Sequence, residues 1–389
     1  MRVAIVTESF LPTLNGVTTS VLRVSEHLIE RGHEVMVIAP QVLAKNTTPL
    51  PRGLTVHRVP SVAYREFPVG LPHPTVNALL EDFRPDVLHA ASPFLLGYQA
   101  LLSSKRLRIP SVAIFQTDVA GYAKRNALGA TERFAWWVIS KIHNTADLTL
   151  VPSTTSERQL EDCGVTSLAR WGRGVDIRGF HPDHRLDPQT IALRASIAQP
   201  DDVVVGYVGR LAPEKNVERL RVLEGLCGLH VVVVGDGPSM PEVKKALQNI
   251  PHTLTGALRG RALQRIYGTF DAFVHTGEEE TFGQTLQEAH ASGLPVIAPA
   301  VGGPLDLIDH GVDGLLFGAG DDDGLRQAVQ TLRDEPERRA QMGEAGRRRV
   351  LGRDWESLCE QLVGHYHRVM RPSIRRLPVS SVRLVERVA

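Results

Sequence analysis

Residues 274–303 read VHTGEEETFGQTLQEAHASGLPVIAPAVGG, a strand end, a Gly-containing turn, a helix and a second apolar run in succession. The segment DAFVHTG (271–277) leading into it is a short apolar run that stops at Thr-Gly, the pattern of a buried parallel strand. Glu278, Glu279, Glu280 and Thr281 follow, then Phe282-Gly283. From Gln284 the period turns helical, with Leu286, Ala289 and His290 at three- and four-residue spacing, until Gly293 and Pro295 end it. A parallel strand feeding a Gly-containing turn and a helix aims backbone N–H groups at the crevice beyond the strand's C-terminal end. The first amides of a helix lack partners and its dipole is positive there, so such a place binds anions. Glu280 stands at the mouth of the turn and Glu288 one to two turns into the helix, a carboxylate on each side of a phosphate-shaped hole. Glu at a helix start also complements the dipole without any ligand. That plainer reading leaves unexplained why Phe282-Gly283 separates the two, and why PVIAPAVGGPLDLI follows directly.

Glu280 and Glu288, with seven residues between them, followed by ASGLPVIA and a Gly-Gly-Pro turn, resemble the donor-site signature of family-4 glycosyltransferases. The resemblance runs over roughly residues 1–370. It implies an α/β GT-B fold, two Rossmann-like doubly wound domains facing a central cleft, and sugar transfer with retention of configuration.

A length of 389 residues predicts two domains, and 42% hydrophobic with 22% charged residues is ordinary for a globular chain. No apolar run approaches the roughly 18 residues of a membrane span. MRVAIVTES starts at once as a strand, with no charged-then-apolar leader, so a cytoplasmic location is expected. Cys163, Cys227 and Cys359 lack metal-type spacing and read as reduced core residues. The net charge of +1 conceals a split: +4 over residues 1–180, −7 over 181–370 and +4 over the tail 371–389. A mildly basic first half and tail suit peripheral contact with an anionic membrane, or nothing in particular. Nucleic-acid binding would need a denser basic patch, and none is expected as a partner.

In the first half, RVAIVTES, EVMVIAP, LTVHRVP, DVLHAAS, SVAIFQT and DLTLVPS alternate with helical patterns at Gly16–Arg31, Ala78–Phe83, Leu95–Lys105, Thr131–Thr145 and Ser156–Cys163. This alternation predicts a mostly parallel, doubly wound sheet with ligands beyond the strands' carboxyl ends. The loop after the first strand, ESFLPTLNGVTTS, has no GxGxxG, which disfavours a dinucleotide there. The resemblance assigns Gly16 a close backbone approach to the donor diphosphate. SVAIFQT ends in Gln116-Thr117-Asp118, polar residues that face the crevice or cap the next helix. Many family members carry a His where Gln116 stands, so no histidine role transfers. The Gln-Thr-Asp variant resembles the GDP-mannose-dependent α-mannosyltransferases of the family. In TERFAWWVISKIH (131–143), Phe134, Trp137, Val138 and Lys141 share a helical face with Trp136 and Ile139 beside it. Such a face packs into a core or seats a protein on lipid headgroups.

The segment WGRGVDIRGFHPDHR breaks the alternation and resembles the family's interdomain segment. The expected organisation is a first domain over 1–182, a nucleotide-sugar-binding domain over 183–353, a helix over 354–370 crossing back to the first domain, and a disordered basic tail over 371–389. In VVVGYVGRLAPEKNVERL, an apolar strand is followed by Gly209-Arg210 and by Pro213-Glu214-Lys215-Asn216 opening a helix. Two cations beside a strand's end suit a diphosphate, with Arg210 able to bind two oxygens at once; a solvent-exposed turn would look the same. The pair also resembles the family's Gly-Arg…Glu-Lys-Asn signature. After LHVVVVGDGP, the strand HTLTGAL makes Leu254, Thr255 and Gly256 candidates to lie against the nucleotide base, as the resemblance implies.

The expected substrates are a nucleotide sugar, GDP-mannose in the nearest resemblance, and a glycan or lipid-linked acceptor. Charge growing on the leaving diphosphate would meet Arg210, Lys215 and the amides near Gly283, Gln284 and Thr285. Glu280, aided by the amides of Thr281 to Gly283 around Phe282, would orient sugar hydroxyls, and Glu288 would accept from the ribose. The resemblance implies same-face attack in which the leaving phosphate would take the acceptor's proton, with Asp118 as the alternative local base. No metal is expected: the resembled family is generally metal-independent, and the donor-site motifs above contain no Asp-x-Asp or His cluster suited to a metal. A UDP-sugar donor and a sugar-nucleotide 2-epimerase of the same fold remain open alternatives.

Overall fold

A computed structural model describes residues 1–13, 15–41, 50–64, 67–116 and 129–371; Thr117, Asp118 and the tail from 372 lie outside the described residues. The apolar runs of the first half become β1 (Arg2–Thr7), β2 (Glu34–Pro40), β3 (Thr55–Val59), β6 (Val87–Ala91), β7 (Ser111–Ile114) and β8 (Leu148–Val151), with a short β9 (Leu168–Arg170). They pair in parallel in the order β3-β2-β1-β6-β7-β8-β9. The second half supplies β10 (Val203–Val208), β11 (Leu229–Val234), β12 (His252–Gly256), β13 (Ala272–Val274), β14 (Val296–Pro299) and β15 (Gly314–Phe317), in the order β12-β11-β10-β13-β14-β15. Most of these strands are buried along their length because helices cover both faces, which is why they read as unbroken apolar runs. Both sheets are the doubly wound parallel sheets expected, and each reverses its winding once, at β1/β6 and at β10/β13. Crevices open there, because consecutive connections depart to opposite faces.

Some local readings differ. Pro213–Lys215 and Val217–Leu223 are turns of 3₁₀ helix rather than an α-helix, because Asn216 takes a left-handed conformation (φ 47°) between them. The antiparallel hairpin β4 (Ser61–Tyr64) and β5 (Phe67–Gly70) was not legible; a proline inside so short a run argues against a strand. Cys359 is buried, but Cys227 is exposed and so is no core residue; all three thiols are free.

The last helix, Trp355–Met370, leaves the second sheet and packs on the helix Gly16–Glu30 of the first. Leu358, Cys359, Leu362 and Tyr366 join the core beneath β1 and β7. Its backbone accepts from Trp171 (Nε1 to Leu358 O, 2.8 Å), and the Tyr366 hydroxyl meets the buried His89 ring at 2.6 Å. The linker lies alongside its start, with the Val175 amide donating to Arg353 O at 2.9 Å.

Candidate active site

Three loops form the second domain's crevice. The one after β13 is fastened before it reaches the candidate residues. Thr276 Oγ1 donates to Lys215 O (2.7 Å), and the Glu278 carboxylate accepts from Arg219 (2.7 Å) and from the Gly320 amide (2.7 Å). Of the acidic run, Glu278 is thus an anchor. Glu280 turns inward: Lys215 Nζ donates to its Oε2 at 2.8 Å, and the amides of Gly283 (3.0 Å) and Phe282 (3.3 Å) donate to its Oε1. Gly283, at φ 98°, turns these amides towards the carboxylate just before the helix Gln284–Ala291 begins. Burial would push the Glu280 carboxyl up, but Lys215, the nearby His275 and these hydrogen bonds hold it down at about 2. At neutral pH it is a carboxylate clamped to a cation.

The second carboxylate is set differently. Glu288 Oε2 accepts from the Tyr267 hydroxyl at 3.0 Å, and burial pushes the group up to about 7, against the lowering effect of hydrogen bonds from Tyr267 and Gln284. Tyr267 is itself fixed by stacking on Phe273 of β13 (centroids 5.8 Å apart). One fold element therefore carries a permanently charged carboxylate and a second one poised near neutrality.

The remaining candidates scatter around this pair. Arg210 follows Gly209 at the end of β10, but its side chain is 57% exposed and binds Glu214 at 2.5 Å, so it stands outside the Lys215–Glu280 contact. Leu254 packs against the domain core. Thr255 Oγ1 donates to Gly256 O, which also accepts the Gly235 amide (2.9 Å) and fixes the backbone after β12. Phe282 is buried and Thr281 lines the cleft, while Gln284 Nε2 reaches the linker at Gly174 O (3.2 Å). Thr285 O accepts from Tyr267 (3.4 Å). Among the described residues, no group of three or more His, Cys, Asp or Glu could hold a metal ion.

Across the cleft, Gly16 opens its helix behind the Asn15 cap. A Cβ at Gly16 would collide with the guanidinium of Arg173, a linker residue whose Nη2 donates to Gln116 Oε1 at 2.8 Å. Burial lowers the Arg173 guanidinium to about 10 against the opposing pull of Glu280, which leaves it charged at neutral pH. The sequence reading missed Arg173, although its place between two glycines in a segment that breaks the element pattern was visible. Three further groups were missed. His275 is buried, its Nε2 is 3.9 Å from Glu280, and burial lowers it to about 4. Glu8, at the end of β1, accepts the amides of Phe94 and Gly97 (2.9 Å each), and burial pushes it to about 7. Tyr267 was not seen as a partner for Glu288 because the two stand 21 positions apart in the sequence.

Two facing doubly wound parallel-sheet domains are the architecture of the GT-B class. Residues 14–178 match the family model "Glycosyltransferase Family 4" and residues 189–349 match "Glycosyl transferases group 1". A GDP-mannose-dependent alpha-mannosyltransferase of Mycolicibacterium smegmatis is 48% identical over 96% of this chain and 100% of its own. A protein of the same description from Corynebacterium glutamicum is 44% identical over 98% of this chain and 92% of its own. Among solved structures, sucrose-phosphate synthase from Thermosynechococcus elongatus superposes with a TM-score of 0.76 at 20% identity, covering 95% of this chain and 98% of that one. The chain belongs to glycosyltransferase family 4 and is a glycosyltransferase.

Proposed function

We propose that this enzyme transfers mannose from GDP-mannose to a hydroxyl of a lipid-linked or other glycan acceptor, with retention of configuration. The observation that carries the proposal is the Lys215–Glu280 pair at the β10/β13 crevice (2.8 Å), in a chain 44–48% identical to proteins described as using that donor. In this reading Glu280 accepts hydrogen bonds from the sugar, Glu288 from the ribose hydroxyls, and the backbone of Leu254 to Gly256 lies along the base. Lys215 and the leading amides at Gln284 and Thr285 take the diphosphate, joined by Arg210 as it exchanges Glu214 for phosphate oxygens. The bond between the anomeric carbon and the phosphate oxygen breaks as the acceptor oxygen bonds to the same face. The acceptor's proton passes to the leaving phosphate, and GDP departs. Charge growing on that phosphate is met by groups already in place, the main source of such rate enhancement. The protein's own cations serve this purpose, so transfer proceeds without a divalent ion.

A lipid-linked acceptor is supported by the helix Gly129–His143. Its Phe134 (61% exposed) stacks on Trp137 (56% exposed) at 5.7 Å, with Lys141 Nζ 5.8 Å from the Trp137 ring. Apolar rings beside a cation suit peripheral seating at an anionic membrane surface, the cytoplasmic face in this reading. No helix among the described residues is long and apolar enough to cross a membrane.

Thermal shift and donor hydrolysis test the donor. A base read by hydrogen bonds is discriminated more sharply than a sugar epimer. We expect GDP-mannose to act best, then GDP-glucose, then UDP sugars, with no change on adding a chelator. Stabilisation by a UDP sugar with none by GDP-mannose would discard the mannosyl donor. Mannose isomerised without acceptor would instead mark a 2-epimerase.

A further inference from the structure

Arg173 lies where the donor-contact positions of the two domains converge. It belongs to the linker, so its backbone is held by the second domain: Gln287 Nε2 donates to Arg173 O at 2.9 Å, and the neighbouring Gly172 packs on Phe282 of the donor turn. Its side chain points at the first domain, with Nη2 on Gln116 (2.8 Å) and the guanidinium filling the space that the missing Cβ of Gly16 leaves open. Glu280 is close enough to act on its charge. Lys215 grips Glu280, and the Arg173 side chain lines the cavity formed with Gln116, Thr281 and Phe282, beside the turn that carries that carboxylate. Arg210 is turned out to Glu214, which makes Arg173 the inward-facing guanidinium of the described site.

We propose that Arg173 is a catalytic residue that binds the donor's phosphates from the first-domain side of the cleft. This rests on the nucleotide-sugar reading above and deepens it. A guanidinium presents a planar fork of donors that matches two oxygens of a phosphate, and one of those donors is spent here on holding the fork against Gln116. Placed there, Arg173 shares the charge that grows on the leaving group as the glycosidic bond breaks. Gly16 is small because the guanidinium occupies its side of the loop, so the two residues act together.

The test is calorimetry on the full chain with GDP and guanosine, and in parallel UDP and uridine, alongside transfer kinetics and melting temperature. In R173A we expect GDP affinity to fall about tenfold or more and turnover about a hundredfold, while guanosine affinity stays within about twofold. The melting temperature should hold, and R173K should recover part of the loss. G16A, which displaces the guanidinium without deleting it, should also weaken GDP and spare guanosine. Unchanged GDP affinity and turnover in R173A would overturn the proposal, as would equal losses for GDP and guanosine with a lowered melting temperature, the mark of a linker prop. A parent that binds UDP and not GDP removes the guanine assignment alone, and Arg173 is then judged on the UDP–uridine pair. If the parent binds neither diphosphate, both proposals fall.

Discussion

Glu280 and Glu288 are chemically the same side chain eight positions apart, yet the fold gives them opposite proton affinities. Glu280 is held at about 2 by Lys215 and backbone amides that outweigh burial, whereas Glu288 is raised to about 7 with a phenol as its partner. Their replacements should therefore separate. Glu280→Gln keeps an oxygen for the Phe282 and Gly283 amides but leaves Lys215 without its counter-charge. We expect turnover to fall about a hundredfold while GDP affinity changes little. Glu288→Gln should leave the chemical step competent and weaken nucleotide binding. In the parent that binding should itself weaken as pH drops below about 7, because a protonated carboxyl no longer accepts from both ribose hydroxyls. In the variant the pH dependence should flatten. Calorimetry between pH 8 and 6 checks both, and equal effects on GDP affinity would deny the two carboxylates separate roles. Their positions were legible from one stretch because they lie on one turn and one helix. Their partners were not, since Lys215 and Tyr267 reach them only through sheet order.

At the level of elements, strands surrounded by helices announced themselves as unbroken apolar runs, and strand-then-Gly turns marked where the crevices open. Less was readable where one residue overrides the period, as Asn216 does by taking φ 47° and stopping a helix that Pro213 begins. The aromatic helix Gly129–His143 shows a finer limit. Its sequence puts Trp137 on a face with Phe134 and Trp136 beside it, since neighbours on a helix point about 100° apart, but does not tell which side is buried. Trp136 packs beside the cluster of Phe115, Ile139 and Val151, while Trp137 stands out with Phe134. Trp137→Ser should reduce flotation with anionic vesicles and leave the melting temperature unchanged, whereas Trp136→Ser should lower the melting temperature. Vesicle binding unaffected by loss of Trp137 would remove the membrane reading.

For the whole molecule, titration of buried groups sets the acid limit. Burial holds His89 at about 3 and His143, His275 and His290 at about 4, below the unfolded value of roughly 6.5. As pH falls through 6.5 the unfolded chain binds these protons and the folded one does not, so stability is lost. Glu8 and Glu288, raised to about 7 against an unfolded value near 4.5, act in the opposite sense over the same range. His33, His230 and His365 are lowered in the same sense, so the histidines outnumber the two carboxyls and stability falls as pH drops from roughly 6.5 towards 4.5. Urea midpoints should drop steeply from pH 7 to 5, and a flat profile would mean that these histidines are not held neutral. The last helix has a mechanical consequence. The chain passes between the domains twice, once through the linker and once at Arg353–Trp355, and the passages lie side by side where the Val175 amide meets Arg353 O. Bodies joined by a single tether can swivel; two adjacent tethers make a door hung on two pins, which can swing but cannot spin. The paired passages thereby restrain how the sheet that carries Glu280 can turn relative to the one that ends in Gln116.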